Sequence, residues 1–176
     1  MRPWRYEDSG ALFLIADNKK IADNLRDGFP NPYTHNDAIK WLSMVIPENN
    51  PAKFFAIEAE GNLAGSIGIV TKSDIYRMNV EIGYFIAEKY WGQGIATRAV
   101  KAVTKYAFET FDIIRVYAEP FEENTSSRRV LEKAGFSLEA IFRSNVIKNG
   151  IIKDSCIYSM LREEHSADPL IKIEEL

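Results

Sequence analysis

One cysteine, Cys156, is all the chain has, and its two histidines are scattered, so neither an internal disulfide nor a metal-ligand spacing can be drawn from them. These shortages exclude a disulfide-stapled secreted scaffold and leave no zinc site to expect; a reducing compartment, the cytoplasm, suits such a sequence. Long apolar runs are missing as well. Nothing approaches the roughly 20 apolar residues of a membrane span, and the polar opening MRPWRYEDSG lacks the apolar core of an export signal. No membrane association is expected. Basic runs never exceed two residues and the net charge is −3, so the electrostatic footprint of a nucleic-acid binder is absent too. Repeats, low-complexity tracts and linkers are not found.

What the 176 residues do hold is a globular balance, 46% hydrophobic and 27% charged, which suits one domain around one core. From Asp8 to about Arg26, Leu12, Ile15 and Ala16 recur at helical spacing and predict two short helices. GFPNPYTH, residues 28 to 35, reads as irregular, after which Thr34 or Asn36 caps a helix through Trp41 and Leu42. The period then shortens. FFAIEAE and LAGSIGIV, parted by Gly61 and Asn62, read as a hairpin, and MNVEIGYFI extends it to a meander. In that third run Val80, Ile82, Tyr84 and Ile86 share one face, with Glu81 and Phe85 on the other. A helix from near Gly94 aligns Ala96, Ala99, Val100, Val103 and Ala107, residues 113 to 120 form a fifth strand after a short opening one at RPWR and the three of the meander, and a helix runs from about Asn124 to Gly135. A hairpin around Asn149 and Gly150 closes the domain. The expectation is one α/β (α+β) domain over residues 1–161, with a charged, frayed tail over 162–176. Its sheet has about six or seven strands, mostly antiparallel with one parallel pair, and about four flanking helices.

EKYWGQGIAT leads from a strand straight into a helix, which places Gly92 and Gly94 where backbone amides are free and the helix dipole is positive: an anion site. Small residues there let the backbone approach phosphate oxygens, and Ala96 leaves the same room. An ordinary glycine-containing turn accounts for the same letters. The segment is neither a P-loop nor a dinucleotide fingerprint.

EIGYFIAEKYWGQGIATRA followed by NTSSRRVLEKAGF resembles the GNAT superfamily of N-acetyltransferases, and within it the RimJ/RimL branch that acetylates N-terminal amines of ribosomal proteins. RPWRYEDSGAL and FPNPYTHNDAIKWL are similar to the same branch, so the likeness spans nearly residues 2 to 161. The family's pyrophosphate signature, Arg/Gln-x-x-Gly-x-Gly/Ala, falls on Trp91, Gly92, Gln93, Gly94, Ile95 and Ala96, with Trp91 departing from its first position.

The resemblance implies that acetyl-CoA is the cofactor, its pyrophosphate on the amides of Gly92 to Thr97 and its pantetheine arm along Phe85 and Ile86. It also implies a parallel pair splayed into a wedge, with the Phe85 amide as oxyanion donor. Asn124 meets the cofactor from the other side or serves simply as a helix N-cap. Glu81 falls where several branches keep a general base, though a structural acceptor explains it equally. Many relatives carry an acidic Tyr where this chain has Leu131; Ser127, three residues after Asn124, supplies a hydroxyl near the thiol instead. Phe29, Pro30, Tyr33 and Trp41 fall where the family walls its acceptor site, with core packing the competing account for Trp41. Cys156 as a covalent acetyl carrier is disfavoured, since an isolated Cys is more often a small buried residue. The acceptor implied is a protein or peptide α-amine such as a ribosomal protein N-terminus. A polyamine or aminoglycoside is the alternative, and a non-catalytic acyl-CoA sensor a third. A homodimer contact through the terminal hairpin or the tail is a further expectation.

Overall fold

The computed structural model describes residues 1–47 and 50–166. Among the described residues there are seven strands: β1 (Arg2–Pro3), β2 (Phe54–Ala59), β3 (Asn62–Thr71), β4 (Asn79–Ile86), β5 (Arg115–Ala118), β6 (Ser137–Lys148) and β7 (Ile151–Leu161). They form one sheet in the order β1-β2-β3-β4-β5-β7-β6, antiparallel everywhere except between β4 and β5. The helices are α1 (Ser9–Ala16), α2 (Lys19–Ala22), α3 (His35–Val45), α4 (Ile95–Thr110), α5 (Thr125–Lys133) and α6 (Arg162–Ser166).

Alternation along the strands sorts side chains to the two faces of the sheet. Ile67, Ile69, Val80 and Ile82 pack with the apolar stripe of α4, Ala99, Val100, Val103 and Ala107, all nearly or fully buried. Each such aliphatic side chain contributes about 1.5–3 kcal/mol of burial, Ala less. Leu12 of α1 and Leu42 of α3 close on Trp4, Ala56 and Leu63 in a second cluster. Helix ends follow the letters. Thr34 caps α3 with Asp37 completing a capping box, and Asn124 caps α5 by accepting from the Ser127 amide at 3.1 Å.

Three expectations need adjusting. The β2–β3 turn lies on Glu60 and Gly61, both at positive φ (52° and 75°), and Asn62 begins the strand. A two-residue turn of this hand needs left-handed backbone at both central positions, which Gly61 takes freely. β5 is shorter than residues 113 to 120 and stops at Ala118. The described helices number six rather than about four: the two short ones expected between Asp8 and Arg26 are α1 and the four-residue α2, and α6 occupies the start of the expected tail. Arg162 anchors α6 by donating to the Ile113 and Phe111 carbonyls at 2.8 and 3.1 Å. Residues 167–176 of that tail lie outside the described residues.

The parallel pairing covers only Asn79–Arg115, Val80–Val116 and Glu81–Tyr117. Beyond Glu81, β4 keeps its antiparallel partner β3 as far as Ile86 while its other edge is left open. That open edge is the wedge.

Candidate active site

At the mouth of the wedge Gly92 and Gly94 adopt left-handed backbone, φ 76° and 72°, and Gly94 is the N-cap of α4. The first bond of the helix runs from the Arg98 amide to the Gly94 carbonyl at 3.1 Å, so the amides of Ile95, Ala96 and Thr97 have no helical partner. A ring of donors at the positive end of a 16-residue helix is an anion cradle. Around Gly92 a Cβ would meet nothing within 4 Å, leaving room for a phosphate. Gln93 turns its side chain back to the Lys89 carbonyl, 3.1 Å, and so offers the cradle only backbone. Trp91 donates its indole Nε1 to the Ile86 carbonyl at 2.7 Å, tying the loop to β4.

Which amides face the wedge follows from the phase of the ladder. Ala87 N–H donates to Ala64 O at 2.8 Å, Lys72 N–H donates to Asn79 O at 3.3 Å, and the register between these two pairs is unbroken. In an antiparallel pair hydrogen-bonded positions alternate, so Asn79, Glu81, Gly83, Phe85 and Ala87 spend their backbone groups on β3. The intervening residues face β5, as the Ile114 amide donating to Met78 O at 2.9 Å confirms. The Phe85 amide is therefore committed to β3 and is not available as an oxyanion donor; the amides of Tyr84 and Ile86 face the open edge. Phe85 instead lends its ring, 5.5 Å from Phe29, which lies 5.0 Å from Tyr33. These rings wall the cleft on the α1–α3 side, and burial pushes the Tyr33 phenol up to about 12. Trp41 packs edge-on to Trp4 and Phe54 at 5.2 and 6.1 Å.

Glu81 lies on that same side, its side chain one-tenth exposed. One carboxylate oxygen pairs with Arg26 and the other with Lys72 Nζ at 2.8 Å, while the Tyr117 hydroxyl stands 3.4 Å away. Burial lowers the Lys72 pKa, but its bonds to Glu81 and Tyr117 more than offset this and raise it overall. Arg26 also reaches Glu119, 3.7 Å away across the cleft.

On the opposite side the Tyr84 hydroxyl lies 2.9 Å from Ser127 Oγ and 3.3 Å from the Ser127 carbonyl. Burial pushes this phenol up to about 12, a rise the Ser127 bond partly offsets. Asn124 spends Oδ1 on the cap and is one of the residues that line the cleft. Leu131 is fully buried and carries no chemistry. Cys156 is also fully buried, and burial pushes its thiol pKa up, which leaves it a core residue. One cleft of about 1650 Å³ joins all of this, from Gly92 and Thr97 past Ser127 to Glu81 and Phe29. The cradle, Glu81, Asn124 and Ser127 singled out from the sequence all line this cleft. Sequence reading missed Tyr84, assigned only to an aliphatic face, and the cations Arg26 and Lys72, which no spacing links to Glu81.

The family model described as Acetyltransferase (GNAT) domain matches residues 1–137. The probable N-acetyltransferase YjcK of Bacillus subtilis is 40% identical over 101 residues, 56% of this chain and 56% of that protein, so the match spans about half of that relative's length. The putative ribosomal N-acetyltransferase YdaF of the same organism is 36% identical over 161 residues, 88% of this chain and 79% of its own. The spermidine N(1)-acetyltransferase of Escherichia coli is 24% identical over 168 residues, 96% and 88% of the two chains. The solved structure of Mycobacterium smegmatis RimJ in complex with CoA-disulfide superimposes with a TM-score of 0.81 at 27% identity, covering 93% of this chain and 81% of that one.

Proposed function

The chain belongs to the GNAT acetyltransferase family, and from that premise we propose a RimJ/RimL-type enzyme that moves the acetyl group of acetyl-CoA directly to the N-terminal α-amine of a protein or peptide. Acetyl-CoA is the cosubstrate, and the cradle fits its pyrophosphate: two left-handed glycines, three helix amides without partners and open space at Gly92. The observation that carries the reading is the continuity of one cleft from that cradle through the wedge to Glu81 beneath Phe29.

In this reading the free edge of β4 pairs with the pantetheine arm, and the amide of Tyr84 or Ile86 steadies the carbonyl oxygen as charge develops on it. Asn124 Nδ2 holds the arm from α5. Glu81 takes the amine's proton through water after parting from Lys72 or Arg26, and the Ser127 hydroxyl serves the departing sulfur. A protein amine suits a cleft that is wide and walled by aromatic rings, and the likeness to YdaF supports it. The second reading, a polyamine acceptor, is favoured by the likeness to the spermidine enzyme and by the carboxylates Glu81, Glu119 and Asp27 around the same cleft. Cytoplasmic placement, and a homodimer joined through edge strand β6 where Leu138, Ile141 and Phe142 stand exposed, complete the proposal.

Thiol release from acetyl-CoA, measured across peptides beginning with Ala, Ser or Thr and a matched set of polyamines and aminoglycosides, tests it. Selective turnover of one peptide is expected. Preference for a polyamine moves the assignment to the second reading, and binding of acetyl-CoA without turnover of any amine points to a sensor.

A further inference from the structure

A half-buried phenol gains from a hydrogen-bond partner, and Tyr84 finds its own across the open edge of the sheet. Its ring, on β4, packs against the main core, while its oxygen meets Ser127 in the first turn of α5, 43 residues away in sequence. The bond thus spans the two banks of the wedge through which the thioester must pass. Each hydroxyl has one proton and two lone pairs. If the Tyr84 proton goes to Ser127 Oγ, the Ser127 proton is left for a third atom, and Ser127 is one of the residues that line the cleft.

We propose that Tyr84 is the positioning residue of the transfer: it donates to Ser127 Oγ and thereby aims the Ser127 proton at the departing sulfur of coenzyme A. The proposal rests on the acetyl-CoA reading above and goes beyond it in assigning Tyr84. When the amine nitrogen forms its bond to the carbonyl carbon, the carbon–sulfur bond breaks and sulfur leaves with the electron pair. Ser127 stabilises that charge by a hydrogen bond without giving up its proton. The proton that finally neutralises sulfur is the one the amine has lost, carried by Glu81 and water. A phenol pushed up to about 12 keeps its proton throughout the working range, as a standing donor requires. Leu131, one turn further along α5, offers no hydroxyl in its place.

The test uses coenzyme A alone, so an incorrect acceptor cannot mask the result. The bound thiol is titrated by the ultraviolet absorbance of its thiolate in the wild type, Tyr84→Phe, Ser127→Ala and the double variant. In the wild type the thiol is expected to ionise about one pH unit below its value in free coenzyme A, a tenfold preference for the thiolate. Tyr84→Phe, Ser127→Ala and the double variant are each expected to restore the free value within a few tenths of a unit, because the two side chains act as one device. Steady-state rates with whichever amine the thiol-release panel turns over should show kcat down about tenfold in Tyr84→Phe, with KM for acetyl-CoA within about twofold. The other ionisable side chains of the same cleft, Arg26, Glu81, Glu119, Arg129 and Lys133 among them, are present in every variant, so the differences isolate the pair. Replacement of Tyr84 by 3-fluorotyrosine, a stronger donor of nearly the same shape, should lower the bound thiol's value further and keeps the test open if the Phe variant folds poorly. A Tyr84→Phe protein that titrates as wild type while Ser127→Ala does not overturns the proposal. A wild type that leaves the thiol unshifted overturns it too. Failure of the wild type to bind coenzyme A at all overturns the acetyl-CoA reading beneath it.

Discussion

Glu81 is the residue whose surroundings change most between the letters and the fold. Alternation along β4 was enough to set it apart from the aliphatic face, but nothing in the spacing foretold that Arg26, 55 residues earlier, and Lys72 would hold both its oxygens. Substitution by Gln keeps the shape and removes the charge and basicity. Glu81→Gln is expected to lower kcat about 100-fold, the lower end of what a general base contributes, with coenzyme A affinity unchanged by calorimetry. An unchanged kcat would reduce Glu81 to a structural acceptor. Phe85 shows where sequence reading stops at this scale. Side-chain faces are set by parity along one strand, whereas the direction of each amide depends on the partner strand and its register. The same parity that sends Phe85's ring toward the acceptor side commits its amide to β3.

Elements with their own local chemistry were legible: Thr34 and Asn124 as caps, Gly94 at a helix start, Asn149 and Gly150 in a turn with φ of 52° and 76°. What holds an element through distant partners was not, even where the element itself, such as the short opening strand at RPWR, was expected. β1 is two residues long and is kept by a clamp. Arg2 donates twice to Asp8, at 2.7 Å each, and once to Glu58 at 2.9 Å, while the Arg5 amide donates to Asp8 at 2.9 Å. Burial alone would raise the Asp8 pKa, but the bonds from Arg2 and Arg5 outweigh it and hold the carboxyl below its ordinary 3.8. A depressed folded value means the stabilisation is present above the unfolded value and is lost as pH falls through the folded one. Thermal melts from pH 7 to pH 2 should show that loss setting in below about 3.8 in the wild type. Asp8→Asn should cost about 1–3 kcal/mol near neutrality and remove this part of the acid dependence. Equal slopes for the two proteins would show that the clamp does not hold β1. α6 was invisible in the letters, since it is anchored by Arg162 to carbonyls some 50 residues upstream.

At the scale of the whole molecule, the fold is a sheet with one deliberate failure of pairing, and the cofactor is expected to bridge it. A ligand that binds only the folded protein stabilises it by about 2.7 kcal/mol at 100 times its Kd, which for a chain of this length is a rise of about 5–10 °C in Tm. Differential scanning fluorimetry with coenzyme A should register that rise. Gly94→Ala should lose most of it, because a side chain at φ 72° is strained and its Cβ would stand 3.3 Å from the Arg98 guanidinium. A full shift in that variant would mean that the pyrophosphate does not rest on the α4 terminus. The bond from Trp91 to Ile86 has a consequence of another kind. Of the three indoles, Trp4 is buried, Trp41 is half-buried among other rings, and Trp91 alone stands about half exposed, on the loop that closes around phosphate and bonded to the strand that lines the wedge. Its emission is an optical signal built into the binding loop, so occupancy can be followed in the unlabelled protein by light alone.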